Sequence, residues 1–287
     1  MAADTKKTGK PAYQPTRFML PTSHYDRRRA DRAVSFIQGL KHTKGVWAGK
    51  PFLLFPWQEQ IIRDVFGTIK ENGYRQFNTA FVEICKKAGK SELAAAVALY
   101  MLCADHEEGA EIYGCANDRQ QASIVFDVAR DMVAQSPILS ERIKVVESQK
   151  RLVYMPTRSI YQALSSEVAS KYGYNVHACI FDELLGQSNR KLYETMTQGS
   201  GAARKQPLNF VITTAGSDKT SICYEVHRKA MDILEGRKSD PTFYPVVYSA
   251  PETADWTDPE VWKQANPSLG RTVDMEYYEQ RCRSAQE

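Results

Sequence analysis

The sequence predicts an α/β fold in which a mostly parallel central sheet is flanked by helices. Three observations lead to this class. Strand-like and helix-like runs alternate from about residue 76 to residue 248, a Gly-Lys-Ser tripeptide lies between one such strand and the next helix, and a later apolar strand ends in Asp-Glu. Strands that alternate with helices pair in parallel, because each helix returns the chain across a face of the sheet.

The elements can be assigned in order along the chain. Apolar spacing of three and four predicts a helix at 30–39, and Pro56 opens a second amphipathic helix that extends to about Phe66. The strands of the parallel sheet are predicted at 76–84, 111–115, 177–181, 208–213 and 243–248. The helices that connect them are predicted at 92–103, 118–135, 191–197 and 221–234. Short runs at 143–146, 152–154 and 159–164 predict antiparallel strands attached to the same sheet.

These elements divide the chain into three regions. Residues 1–50 are expected to form an N-terminal arm and a helical segment, because residues 1–15 are polar and rich in Lys and Pro. Residues 51–250 carry the alternating strands and helices and are expected to form the main domain. After residue 250 the sequence is richer in Asp, Pro and Trp, and a helical pattern from about Asp274 continues to Glu287. We expect 251–287 to be the start of a linker or lid.

Composition argues against several classes of protein. Hydrophobic residues make up 43% and charged residues 25% of the chain, as in ordinary globular domains. No segment approaches the roughly 18 consecutive apolar residues of a membrane helix, and no signal peptide is recognisable. We therefore expect a soluble, intracellular protein that does not associate with a membrane. Six cysteines without a C-x-x-C pair favour reduced thiols over zinc or disulfides. The net charge of +4 is too small to indicate nucleic-acid binding by itself.

A candidate phosphate loop follows the strand at 76–84 and opens the helix at 92–103. In this context backbone N–H groups and the helix N-terminus bind phosphates, a Lys reaches the β- and γ-phosphates, and a Ser coordinates Mg²⁺. The nucleotide-binding residues predicted in the loop are Lys86, Lys87, Ala88, Gly89, Lys90 and Ser91, of which Ser91 also binds the metal. Ile84 occupies the slot of the usual first glycine, and Gly-Lys-Ser alone is common by chance.

Two adjacent carboxylates, Asp182 and Glu183, follow the apolar strand at 177–181. They lie at the carboxyl end of that strand, where ligands bind in parallel sheets. Asp182 is predicted to hold Mg²⁺, and Glu183 is predicted to be the catalytic base that activates the attacking water. A strand that leads into an acidic helix cap would look the same in isolation. With the phosphate loop upstream, the layout predicts a P-loop ATPase with an additional catalytic glutamate.

Two weaker features fit the same site. The strand at 208–213 ends in Thr213 and Thr214, with Gly216 close behind, which would place hydroxyl groups near the γ-phosphate and couple hydrolysis to movement. Gln58 lies near the start of the helix that Pro56 opens, and its amide can pair with both a donor and an acceptor of adenine. Taken alone, these features equally suit a buried strand with a polar turn and a surface glutamine.

Five motifs together resemble the large terminase subunit of tailed bacteriophages. They are Phe55-Pro56-Trp57-Gln58, the glycine-poor phosphate loop, Phe181-Asp182-Glu183, Thr213-Thr214-Ala215-Gly216 and Ala265-Asn266-Pro267-Ser268-Leu269-Gly270. The resemblance covers roughly residues 52–270. It implies a motor in the host cell cytoplasm that hydrolyses ATP with Mg²⁺ and translocates viral double-stranded DNA into the procapsid. It also implies that Lys86 takes the place of a basic residue, often Arg, and acts with Glu183 in catalysis.

The resemblance further implies partners and a second activity. The partners would be double-stranded DNA, the portal protein, the small terminase subunit and further copies of the chain in a ring, with isolated chains monomeric. Large terminases also resemble a fusion with an RNase H-like nuclease, and we expect ATP hydrolysis without DNA cleavage from the present sequence. The arginines that a neighbouring copy could supply are Arg119, Arg130, Arg142, Arg158 and Arg204.

Two other functions are compatible with the motifs. A helicase-like nucleic-acid translocase shares the adenine-reading Gln and the Asp-Glu strand. A non-catalytic DNA-binding subunit with a decayed nucleotide site would explain Ile84 in place of glycine. Glu183 argues against decay, since a degenerate site does not need the carboxylate that activates water.

Overall fold

One large sheet organises the chain, and a computed structural model describes it over residues 13–165, 174–186, 190–199 and 204–286. The strands are β1 (His24–Tyr25), β2 (Thr68–Ile69), β3 (Thr79–Glu83), β4 (Glu111–Ala116), β5 (Ile143–Val146), β6 (Arg151–Tyr154), β7 (Ser159–Ser165), β8 (Val176–Asp182), β9 (Leu208–Thr213) and β10 (Phe243–Val247). Within the described residues, β3 to β10 form an eight-stranded sheet in the order β10-β3-β9-β8-β4-β7-β6-β5. The first six strands in this order run parallel, which confirms the predicted fold class.

Helices cover both faces of this sheet. The helices of the described residues are α1 (Arg27–Gln38), α2 (Pro56–Gly67), α3 (Lys90–Cys103), α4 (Arg119–Ala134), α5 (Pro137–Arg142), α6 (Lys191–Gly199), α7 (Ile222–Leu234), α8 (Pro259–Ala265) and α9 (Met275–Gln286). Short 3₁₀ turns lie at Gly45–Trp47, Glu147–Gln149 and Leu184–Gly186. None of the described helices is long and apolar enough to cross a membrane.

The direction of β7 differs from the prediction. β5 pairs antiparallel with β6, and β6 pairs antiparallel with β7, as expected. On its other side, however, β7 pairs parallel with β4, where the sequence predicts a purely antiparallel attachment. The two reversals through β5 and β6 turn the chain back into the direction of β4, so β7 continues the parallel sheet.

Side chains of successive strand residues point to opposite faces of the sheet and enter two separate apolar clusters. Ile180 and Phe210 pack on the face covered by α1 to α4, whereas Phe181 and Val211 pack on the face covered by α6 and α7. α3 is buried nearly all round, from Leu93 to Leu102, because it lies between the sheet and the helices α1 and α4. This position explains why α3 is apolar on every side rather than amphipathic.

The helical segment before the sheet packs against the same core. Residues of α1, including Ala33 and Ile37, share the apolar cluster with α2 and α3. α8 is a short helix that the sequence analysis does not predict, and it begins at a Pro preceded by the capping residue Asp258. All six cysteines are free thiols in the described chain.

Candidate nucleotide-binding site

Three neighbouring strands bring the predicted site residues to one edge of the sheet. β3, β9 and β8 are adjacent and parallel, with Glu83 opposite Thr213 and Asp182 opposite Ile212. The phosphate loop leaves β3, the Asp-Glu pair leaves β8, and the two threonines end β9, so all three meet at the carboxyl edge.

The loop at 84–89 turns sharply before α3 begins. Lys87 and Gly89 both have left-handed backbone, with φ of 68° and 84°, and Gly89 caps α3. Ala88 is completely buried, whereas Lys86 and Lys87 are exposed at the mouth of the cleft described below. The loop therefore adopts a tight turn without the usual first glycine, whose slot is filled by the buried Ile84.

Lys90 lies at the base of this loop and is 8% exposed. Its Nζ donates to the carbonyl oxygens of Ile84 at 3.3 Å and Cys85 at 3.0 Å. Burial lowers the pKa of Lys90, and the nearby Glu183 and Asp182 carboxylates act in the opposite direction. The buried ammonium is a charge-assisted donor for phosphate oxygens, whereas the two carboxylates are oxygen ligands for a cation that accompanies the phosphates.

Ser91 and Asp182 form a direct contact between the loop and β8. The Ser91 hydroxyl donates to Oδ2 of Asp182 at 2.5 Å. Burial raises the pKa of Asp182, and the adjacent Glu183 adds to this effect, whereas the bond from Ser91 opposes it. The two side chains thus place a hydroxyl oxygen and a carboxylate together at the first turn of α3.

Glu183 is held by the end of β9. Its Oε1 accepts hydrogen bonds from Thr213 Oγ1 at 3.1 Å, from Thr214 N at 2.9 Å and from Thr214 Oγ1 at 2.5 Å. The backbone of Glu183 is left-handed, with φ of 69°, which is uncommon for a residue other than Gly, Asn or Asp. Non-glycine residues in this conformation persist where the surroundings fix them, and they are frequent in active sites.

Gly216 lies where the segment after β9 passes Leu185. A Cβ atom at Gly216 would approach Leu185 Cδ1 to 2.1 Å, which is closer than atoms can pack. Leu185 N in turn donates to Thr213 Oγ1 at 3.1 Å. The predicted coupling residues are therefore in contact with the turn that follows Glu183.

Gln58 is buried, and its side-chain oxygen already has a partner. Oε1 accepts from Phe55 N at 3.0 Å at the start of α2. Its Nε2 lies 3.7 Å from where a Cβ of Gly89 would be, so the amide is next to the loop. Because Oε1 is occupied, the NH₂ group is the part of the Gln58 amide that can contact a ligand. Its role at adenine stays a prediction.

An open cleft of about 600 Å³ joins these residues. One wall is apolar and aromatic and was not identified from the sequence. It is formed by His42, Trp47, Phe52, Leu53 and Phe55. His42 stacks on Phe52 with ring centroids 4.4 Å apart, and Glu92 of α3 binds both His42 and Thr43. The only sequence signal for this wall is a run of aromatic residues around a glycine-bounded turn, which many surface loops share.

The C-terminal segment packs against the start of α2. Trp57 Nε1 donates to Ser268 Oγ at 2.9 Å, and both side chains are buried. The Arg271 guanidinium lies 5.3 Å from the Phe55 ring centroid, and Thr272 lines the cleft. The two terminal motifs of the resemblance, Phe-Pro-Trp-Gln and Ala-Asn-Pro-Ser-Leu-Gly, are therefore in contact in space.

Two of the five arginines proposed to act from a neighbouring copy are already engaged. Arg130 forms ion pairs with Asp127 and Asp131, and Arg204 pairs with Glu107. Arg142 and Arg158 are exposed and form no ion pair within the described residues. The side chain of Arg119 lies outside the described part of the chain.

The sheet order, the loop geometry and the carboxylates at the sheet edge place the chain in the P-loop nucleotide-hydrolase class. Comparison with known proteins narrows this class. Residues 56–232 match the family "Terminase large subunit, ATPase domain", and the chain belongs to this family.

Known relatives agree with this family. The chain is 30% identical to the terminase large subunit of Enterobacteria phage HK97 over 248 residues, which is 84% of this chain and 47% of that protein. It is 37% identical to protein YmfN of Escherichia coli (strain K12) over 105 residues, or 37% of this chain and 23% of that protein. The crystal structure of the HK97 bacteriophage large terminase superposes with a TM-score of 0.77 and 29% identity, over 90% of this chain and 52% of that chain. The chain thus spans about half the length of the HK97 protein.

Proposed function

We propose that the chain is the ATPase of a DNA-packaging motor, which hydrolyses ATP and uses the energy to translocate viral double-stranded DNA into a procapsid. The observation that supports this most directly is the meeting of Lys90, Ser91, Asp182 and Glu183 at one sheet edge, inside the region that matches the terminase family. In this proposal residues 51–250 form the ATPase domain, 1–50 an arm and helical segment, and 251–287 the start of a linker or lid.

The donor set fits Mg²⁺. Ser91 and Asp182 offer hard oxygen ligands, which Mg²⁺ prefers, and it usually completes its shell with water and phosphate oxygens. Among the described residues no three or more His, Cys, Asp or Glu side chains lie close enough together to hold a metal ion by themselves. When bound, Mg²⁺ would neutralise charge on the β- and γ-phosphates.

Loop residues would bind the nucleotide. Ala88 and Gly89 would contribute backbone N–H groups, and Lys90 would exchange its bonds to the loop carbonyls for bonds to phosphate oxygens. Lys86 and Lys87 are exposed at the cleft mouth, where Lys86 would add positive charge near the γ-phosphate. The amide of Gln58 and the aromatic wall would contact the base.

Glu183 would act as the general base. Three donors hold its Oε1, so Oε2 is the oxygen that can accept a proton from the attacking water. Because Thr213 and Thr214 supply all three donors, a shift of Glu183 on hydrolysis would be transmitted to the end of β9. This link supports the coupling role proposed for Thr213, Thr214 and Gly216.

The partners proposed for the assembled motor are double-stranded DNA, the portal protein, the small terminase subunit and further copies of the chain in a ring, with isolated chains monomeric. The family match and the HK97 relatives support a role in DNA packaging, and the individual partners follow from the resemblance to large terminases. The proposed setting is the host cell cytoplasm.

Two variants with different expected effects test the function. Lys90→Ala should weaken binding of a fluorescent ATP analogue, because it removes the buried cation at the phosphates. Glu183→Gln should bind the analogue normally but hydrolyse ATP about 10²–10⁴-fold more slowly, the usual contribution of acid–base catalysis. Mg²⁺-dependent phosphate release measures the second effect. Equal loss of affinity in both variants, or unchanged hydrolysis in Glu183→Gln, contradicts these roles. Stimulation by single-stranded but not double-stranded DNA would favour the helicase-like alternative.

A further inference from the structure

The geometry points to a second ligand site, a cleft that binds a phosphate-class anion at the sheet edge opposite the nucleotide site. The cleft has a volume of about 380 Å³, and we call it the arginine cleft. Its charged and aromatic lining includes Arg28, Arg29, Arg32, Arg75, Tyr100 and His106. Arg75 precedes β3 and His106 follows α3, so the cleft lies at the amino edge of the parallel strands.

Positive charge in this cleft exceeds the negative charge beside it. Asp26 and Asp105 are its acidic lining residues, and each is already paired, Asp26 with Arg29 at 3.5 Å and Asp105 with Arg75 at 2.6 Å. Arg28 and Arg32 line the same cleft and form no ion pair with any described residue. Two guanidinium groups are therefore left to bind an anion from solution.

Arg75 adds an unused donor in a buried position. Its side chain is 2% exposed at the residue level, and both terminal nitrogens are bound, to the Asp105 carboxylate and to the Gln206 carbonyl. Its Nε is buried and has no hydrogen-bond partner among the described residues. Buried donors without partners are rare in folded proteins, and a ligand is one of the ordinary reasons for them.

The first turn of α1 lacks the acidic side chains that usually stabilise a helix N-terminus. Arg27, Arg28 and Arg29 occupy its first turn, which contains no acidic residue. The positive end of the helix dipole favours acidic side chains there and disfavours cations. Asp26 caps the helix by accepting from Arg29 N and pairs with the Arg29 side chain. Arg27 pairs with Asp31 at 3.4 Å, so Arg28 is the first-turn guanidinium without an ion pair among the described residues. An anion in the cleft would satisfy both the helix terminus and the unpaired Arg28 and Arg32 guanidinium groups.

The shape and donors of the cleft favour phosphate over carboxylate as the ligand. Guanidinium groups bind phosphate oxygens through paired N–H donors, and several that converge on one space suit a group with three or four oxygens. The phosphate can be free, as in pyrophosphate, or part of a nucleic-acid backbone. Both sources present the same chemistry to the arginines, so the experiment must separate them.

The test uses pyrophosphate as the probe in EDTA, with Lys90→Ala in every protein so that the phosphate loop does not dominate binding. The cleft variant carries Arg28→Gln and Arg32→Gln. Its control carries Lys144→Gln and Arg283→Gln, which removes the same charge from exposed residues that do not line the cleft. Calorimetry should show binding to the parent, a loss of at least about tenfold in affinity in the cleft variant, and less than about twofold in the control.

Duplex DNA in a fluorescence anisotropy assay separates the two sources. Loss of both DNA affinity and pyrophosphate binding in the cleft variant shows that the site takes backbone phosphate, and unchanged DNA affinity with lost pyrophosphate binding shows that it takes free phosphate. Either result supports the site. Absence of pyrophosphate binding in the parent, equal effects in the cleft variant and control, or binding of polyglutamate without pyrophosphate overturns it. Because the nucleotide loop is disabled throughout, the outcome does not depend on the ATPase proposal.

Discussion

Replacement of Thr214 by Val tests whether β9 positions the catalytic base. The Thr214 hydroxyl donates to Glu183 Oε1 at 2.5 Å, and Thr214 is only 5% exposed. Val keeps the β-branched shape in the strand end and removes only the hydroxyl. Thr214 N and Thr213 Oγ1 still reach the same oxygen at 2.9 Å and 3.1 Å, so Glu183 loses one of three donors.

The size of the effect follows from that single bond. A hydrogen bond to a charged group contributes about 1.5–3 kcal/mol, and each 1.36 kcal/mol lost from transition-state stabilisation is about tenfold in rate. Because two donors remain, the lower end applies, and kcat should fall about tenfold. KM for ATP should change less than about twofold, since Lys90 and Ser91 are untouched.

Steady-state phosphate release over a range of ATP concentrations separates these two constants. Thr214→Ser keeps the hydroxyl and is the matched control, which should retain most of the activity. Thermal unfolding of both variants shows whether the fold is intact. Undiminished kcat in Thr214→Val, or a loss that appears in KM alone, would refute the idea that this hydroxyl positions Glu183.

Three further predictions concern packing and pH. Gly216→Ala should change the melting temperature by less than about 2 °C, because Gly216 is exposed and its Cβ displaces only the end of the half-buried Leu185 side chain, and surface substitutions usually cost at most about 0.5 kcal/mol; a loss of many degrees would mean that Leu185 cannot move aside. Trp57→Phe removes the donor to buried Ser268, so limited proteolysis after residue 250 should become faster than in the parent, and equal cleavage rates would contradict the contact. Burial raises the pKa of Asp64, so the folded chain favours its protonated form. The stability of the parent relative to Asp64→Asn should therefore fall as pH rises above 3.8, which thermal melts of both proteins over a pH series measure. A relative stability that increases with pH would contradict the prediction.

The parallel sheet and the location of the site could be predicted because their signals are local. Apolar runs of strand length, helical spacing between them, and polar residues at or shortly after the ends of β3, β8 and β9 are all visible in the sequence. Once strands are parallel, their carboxyl ends must meet at one edge. The sequence therefore places Ser91 and Asp182 in the same region, although it does not predict the bond between them.

Features that depend on contacts distant in the chain could not be predicted. The parallel pairing of β7 with β4 depends on how the chain returns through β5 and β6. The aromatic wall of the cleft is fixed by Glu92 of α3, which binds His42 and Thr43 some fifty positions earlier. The engagement of Gln58 Oε1 depends on the detailed cap of α2. No local pattern distinguishes these arrangements from ordinary surface loops.

Left-handed backbone at residues other than glycine gives an independent view of where the chain departs from local rules. Among the described residues, Lys87, His106, Lys150, Arg158 and Glu183 have φ between 48° and 69°. Lys150 and Arg158 lie in the short connections that join β5 to β6 and β6 to β7, where tight turns account for them. Lys87 and Glu183 line the nucleotide cleft, and His106 lines the arginine cleft. His106 lies in the connection from α3 to β4, and histidine adopts left-handed backbone more readily than most residues, so its conformation needs no functional reason. Lys87 and Glu183 have no such explanation, and since strained residues concentrate where function requires them, they locate the nucleotide cleft without its motifs.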